Sequence, residues 1–257
     1  VRCDSDGDGA CDDAGDAVAI EMLNTVDAAV YRYYPPPGAP QGTLDFDAAD
    51  GSFNVYDHFR NIDYADFPST GHFLAINTVN NVTAYQSPGT GSAVRTPSGT
   101  TIDIAVETAD LDGDGNPDSD EDRVTITGGY QFDPFSGGEP PELDESIQGR
   151  RVYVVDGPIT YLCDAASGEL RRYRGHGINP NFSAVDSDGE LQANGAVRPD
   201  GTPGGSLVTD HAVCGQTSFV YTPGTAHRAG LTTLTITLEK GGERVTLLHQ
   251  VHVVNVP

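Results

Sequence analysis

Short stretches in which apolar and polar residues alternate, divided by Gly, Pro, Asn and Asp, recur along this chain. That period of two predicts β-strands joined by turns. In TTIDIAVET (100–108), Ile102, Ile104 and Val106 alternate with Thr101, Asp103 and Glu107; RVTIT, from Arg123, repeats the pattern with Val124 and Ile126. RRVYVVDGPITYLCD (150–164) reads as a strand, a tight Asp156-Gly157 turn and a second strand, and ELRRYRG returns after AASG as its hairpin partner. Near the end, LTTLTITLEKGGERVTLLHQVHVVNV reads as two long strands joined at Lys240-Gly241-Gly242. Leu234, Ile236 and Leu238 line one face of the first; Val245, Leu247, Val251 and Val253 share a face of the second. The second is apolar enough on both faces to predict a central place in a sheet.

Helical periodicity is scarce, with residues 16–24 and a turn near 56–62 as the only candidates. Segments 33–42, 136–142 and 177–205 are loops by their Pro, Gly, Asn and Asp content. None resembles a flexible linker. The expected fold class is mainly β, an α+β arrangement of antiparallel sheets with long loops, cation-binding turns and little helix. A single domain over 1–257 is expected, with 1–149 and 150–257 as its lobes if it divides.

Composition narrows the function. Thirty-eight acidic residues against 14 Lys and Arg leave a formal charge of −24. Such a chain cannot neutralise nucleic-acid phosphates or dock on an anionic membrane. The excess of aspartate fits a salt-adapted surface, bound hard cations, or both. The four cysteines form no C-x-x-C pair and no zinc spacing, which favours an oxidising, secreted setting. Cys3–Cys11 with Cys163–Cys214 is the favoured pairing among three connectivities, worth roughly 2.5 and 4 kcal/mol by loop entropy.

The acidic run DLDGDGNPDSDE (110–121) carries the sharpest chemical signal. Asp110, Asp112 and Asp114 fall at positions 1, 3 and 5 of a calcium loop, with Gly115 at 6, Asn116 at 7, Asp118 at 9 and Glu121 at 12. Alternate short carboxylates point into one cavity, Gly115 permits the turn, the Asn116 carbonyl adds an oxygen, and Glu121 closes the sphere. Without a cation, carboxylates about 5 Å apart repel by roughly 3 kcal/mol per pair at an effective dielectric near 20. The flanks read as strands rather than EF-hand helices, so Ca2+ would staple a hairpin and not throw a switch. A second candidate is CDSDGDGACDDAGD (3–16), where Asp4, Asp6, Asp8 and Asp12 repeat the spacing inside a Cys3–Cys11 bridge. A third acidic turn, DSDGE (186–190), is too short for a site.

Catalytic signatures are missing: no G-x-S-x-G, H-E-x-x-H, Walker or dinucleotide fingerprint occurs. His58 and His72 lie beside Asp57, Asp63 and Asp66, a loose constellation better explained by solvation. The expectation is a non-enzymatic protein.

The stretch VYVVDGPITYLCDAASGELRRYRGHGI, the C-terminal segment from Cys214, and MLNTVDAAVYRYYPPPGAPQGTLDFDAADGSFNVYDHF resemble prepilin-type minor pilins of the MSHA-biogenesis (MshO-like) group. The resemblance covers most of the chain. It implies a pilin-like head in a type IV pilus-like surface filament, exported and anchored in the inner membrane before assembly. It also implies partnership with other pilin subunits and, at a tip, host or surface ligands, with no membrane contact by the head itself. Cys163 and Cys214 match cysteines of the family's pattern, and Cys3 with Cys11 matches a short early pair. The family's hydrophobic N-terminal helix has no counterpart here, and the Asp-rich loops are departures from the pattern. The alternative expectation is a secreted calcium-dependent adhesive or carbohydrate-binding β module.

Overall fold

The computed structural model describes residues 18–33, 42–76, 84–86, 94–133, 150–222 and 230–253. The fold is mainly β and antiparallel, as the period-two pattern predicts. Eleven strands are described, with one short α-helix, α1 (Asp188–Ala193). The chain forms two compact units, one from Val1–Asn24 with Gly157–Val256 and the other from Thr25–Asp156.

In the Thr25–Asp156 unit, β4 (Ile102–Val106), β5 (Asp122–Tyr130), β2 (Asp50–Tyr56) and the end of β1 (Val18–Tyr31) lie side by side in that order. β3 (Phe73–Ile76) pairs with the start of β6 (Arg151–Asp164). The inward residues Phe53, Val55, Ile102, Ile104, Val124 and Ile126 form a buried apolar core. Val106, expected to point inward with Ile102 and Ile104, is exposed because the chain leaves the strand there for the acidic loop.

In the other unit, the end of β6 pairs with β7 (Glu169–Arg174), and β7 with β8 (Ser206–Thr209). A second sheet holds β11 (Glu243–Val253), β10 (Gly230–Lys240) and β9 (Ser218–Thr222) in that order. The Cys163–Cys214 disulfide spans 51 residues and lies in a core with Ile20, Leu170 and Phe219. Leu234, Ile236 and Leu238 pack on that core from β10, as their alternation predicts.

Four expectations change. Residues 16–24, the helix candidate, enter β1 from Val18 onward. Good helix formers such as Ala19, Glu21 and Leu23 are overridden by pairing of β1 within the sheet, which local propensity cannot anticipate. Asp156-Gly157 is not a hairpin turn: β6 continues through it. Residues 152–155 pair with β3 and residues 159–164 with β7, with Gly157, at φ +119°, between the two stretches. The segment 177–205 holds α1 as well as loop. Its DSDGE stretch is a helix start, with Ser187 as N-cap: its Oγ accepts from Glu190 N at 3.4 Å and donates to Glu190 Oε2 at 2.7 Å. Finally, among the described strands β11 lies at the edge of its sheet rather than at its centre.

Candidate metal centre

The acidic loop sits at the tip of the β4–β5 hairpin, whose register runs from Ile102↔Ile126 to Val106↔Asp122. These are the strand flanks that the sequence predicts. The Glu107 amide donates to the Glu121 carbonyl at 2.9 Å, and Asp118 N donates to the Ala109 carbonyl at 2.9 Å. Leu111, the loop's large apolar side chain, is buried and ties the tip down. Gly113 and Gly115 take φ of +80° and +92°, a region closed to most side chains, which is how the chain folds back on itself.

The backbone curls around its own carboxylates. Asp110 Oδ1 accepts from Gly113 N at 2.7 Å and Oδ2 from Gly115 N at 2.9 Å. Asp112 Oδ1 accepts from Asp114 N at 3.0 Å, and Asp118 Oδ2 from Leu111 N at 2.6 Å. As a result Asp110, Asp112 and Asp118 each offer an oxygen within 4.8 Å of the others. Two oxygens bound at about 2.4 Å to one calcium-sized ion can be no farther apart than that. Asp112 Oδ2 and Asp118 Oδ1 accept no hydrogen bond among the described residues. An all-carboxylate donor set suits a hard cation and not a thiolate- or imidazole-seeking one. The triad can therefore hold a metal ion.

The remaining loop residues stand apart from the triad. Asp114 Oδ1 accepts from the Asn116 amide at 2.8 Å and from Asn116 Nδ2 at 3.1 Å, so these two satisfy each other. Glu121, expected to close the sphere, turns inward instead: its Oε1 takes a bond from Arg32 Nη2 and its Oε2 one of 3.2 Å from Asn54 Nδ2. Asp4, Asp6, Asp8, Asp12, Cys3 and Cys11 lie outside the described residues.

Beneath the loop lies a buried polar network that the sequence did not announce. Asn54 Nδ2 also donates to Glu107 Oε2 at 3.2 Å, while Glu107 Oε1 accepts from Thr108 N at 2.7 Å and Ala109 N at 2.9 Å. Burial pushes Glu107 up, but those two amides and Asn54 outweigh it and hold the carboxyl below its usual range. For Glu121 burial prevails and raises the pKa, against the pull of Arg32 and Asn54. Arg32 is stacked over the Tyr56 ring at 5.4 Å. Gly42, at φ +76°, lets the backbone pass close above Asn54, where a Cβ would come within 2.9 Å of Asn54 Oδ1.

No family model, curated protein or solved structure matches this chain. Its chemistry has to be read from its own residues.

The histidines do not form a joint site with the aspartates beside them. His58 Nδ1 meets Asp122 Oδ1 at 2.9 Å, and the buried Asp122 also accepts from Phe59 N at 2.8 Å and Tyr64 Oη at 2.8 Å. The Asp122 hydrogen bond raises the His58 pKa. Asp57 pairs with Arg60 at 2.7 Å, Asp63 accepts from Ala65 N at 2.9 Å, and His72 bonds Ser69 Oγ at 2.7 Å. In the other unit, Glu21, Thr160 and His176 form a fully buried cluster, with His176 Nε2 3.1 Å from Glu21 Oε2. That cluster is sealed from solvent.

Proposed function

We propose that this chain is a non-enzymatic structural subunit of a type IV pilus-like surface filament, a minor pilin head whose acidic loops are stabilised by calcium. The observation that carries the calcium reading is the gathering of Asp110, Asp112 and Asp118 at one hairpin tip. Calcium accepts six to eight oxygens in irregular geometry and so tolerates three carboxylates completed by water, where magnesium demands a near-ideal octahedron. Outside the cell, calcium is plentiful enough to fill weak sites. The filament reading rests on the sequence resemblance, and a disulfide-linked, β-rich framework is compatible with it. Other subunits of the filament are the partners this role requires.

Calcium titration after chelation, followed by thermal unfolding, tests the cation. With a Kd of about 10⁻⁴–10⁻³ M, 10 mM calcium stabilises the fold by about 1.4–2.7 kcal/mol. For a chain of this size that raises Tm by about 3–11 °C. Asp112→Asn removes most of the shift. An unchanged melting curve for the wild-type chain in calcium refutes the site. The filament reading is tested separately by the reading frame upstream of Val1: a prepilin segment with a hydrophobic helix supports it, and an ordinary secretion signal overturns it.

A further inference from the structure

β11 closes one side of the β9–β10–β11 sheet, and every residue from Glu243 to His252 is exposed. Its apolar side chains stand in solvent: Val245 is 57% accessible, Leu247 53%, Leu248 68% and Val251 41%. Val245, Leu247 and Val251 lie opposite Leu238, Ile236 and Thr232 of β10. They continue outward the row with which β10 covers the disulfide core. Edge strands are ordinarily blunted by lysine, proline or a bulge. β11 contains no Lys or Pro, and its register with β10 is unbroken from Gly230↔Val253 to Lys240↔Glu243.

The backbone of this edge is free in a definable way. Gly241 and Gly242 form a two-residue turn with φ of +63° and +84°, so its closing pair, Lys240 and Glu243, is hydrogen-bonded. Alternation then aims the N–H and C=O groups of Arg244, Thr246, Leu248, Gln250 and His252 away from β10. Among the described residues none of these groups has a backbone partner on the outer side.

We propose that β11 pairs antiparallel with β11 of a second copy of this chain, across a two-fold axis at Leu248. Charge selects this occupant. The chain carries −24, so most approaches between two copies bring carboxylates together. β11 holds only Glu243 and Arg244, of opposite sign, and Arg244 is already held by Glu239 and by Gln216 at 3.0 Å. Pattern selects the register. With Leu248 opposite itself, Val245 meets Val251, Thr246 meets Gln250 and Arg244 meets His252. Every outward-facing backbone group then lies opposite another outward-facing one. The resulting interface is self-complementary, as a two-fold requires. A strip about 37 Å long and one strand wide falls below the roughly 800 Å² per partner of a standard interface, so the dimer is weak and concentration-dependent. The inference does not depend on the filament or calcium readings.

Sedimentation equilibrium of the 257-residue chain, in chelator throughout, tests it. The expected mass rises from 27.1 kDa towards twice that value as concentration increases to about 1 mM, where even a millimolar Kd populates a dimer. Association strengthens between about 0.1 and 1 M salt, as the screening length falls from about 10 to about 3 Å. Leu248→Lys and Gln250→Pro each weaken dimerisation at least tenfold. The first places like charges on the axis; the second removes an outward N–H that β10 does not use. Both leave thermal unfolding at low concentration within about 2 °C, since both positions are exposed. A chain that stays at 27.1 kDa throughout, or a dimer indifferent to both substitutions, overturns the proposal.

Discussion

Replacing Glu121 with Gln separates two roles that the sequence alone merges. Read as position 12 of a calcium loop, Glu121 is a ligand, and its loss should cripple cation binding. Its carboxylate lies instead against Arg32 and Asn54, apart from the Asp110, Asp112 and Asp118 triad. Arg32 and Glu121 are each only 6% accessible, so the pair is screened little by water. Gln keeps an oxygen for Arg32 but removes the charge. The cost is that of a charge-assisted hydrogen bond, about 1.5–3 kcal/mol, and Glu121→Ala, which leaves the buried guanidinium without its carboxylate, costs about 3–5 kcal/mol. Urea unfolding in chelator measures both, and each kcal/mol corresponds to roughly 2–4 °C in Tm for a chain this long. Calcium titration of Glu121→Gln should give a Kd within about threefold of wild type. The reasoning fails if Glu121→Gln abolishes calcium binding while its stability in chelator is unchanged, for then Glu121 leaves Arg32 to join the metal.

Two further outcomes follow from the same structure. Replacing Cys163 and Cys214 together by Ala releases a 51-residue loop, which by chain entropy destabilises the native state by about 4 kcal/mol; a loss under about 1 kcal/mol in denaturant unfolding contradicts this. The His58 pKa is raised in the folded state by Asp122, so its stabilisation is complete below the unfolded value of 6.5 and is lost as pH rises through the folded value. Unfolding free energies from pH 5 to 9 in chelator should carry a downward component that His58→Gln removes, and an identical profile in the two proteins would falsify the linkage.

Several parts of this protein were readable from local sequence, for a common reason. Alternation in TTIDIAVET and RVTIT, the Gly-Gly turn after Lys240, and the aspartate spacing from Asp110 to Asp118 each involve residues within a few positions of one another. Their geometry is set by backbone sterics and pleat. The hairpins, and the three carboxylates gathered at the tip of one of them, follow from that alone.

What only the tertiary structure decided depends on which distant segments meet. Glu121 is claimed by Arg32, 89 residues away, and Asn54 reaches Glu107 across 53. No local pattern encodes such partners, because a carboxylate has the same spacing whether it faces a cation or a guanidinium. The same holds for β1, whose helix-forming residues yield to strand pairing, and for Asp156-Gly157, which continues a strand because β3 and β7 take its two halves. It holds for β11 as well. Apolar residues on both faces predict a central place in a sheet, but strand order is set by the whole fold, and among the described strands β11 has only β10 beside it. Pairing partners are chosen by the sum of buried surface and satisfied backbone over the whole chain, a quantity that no short window of sequence contains.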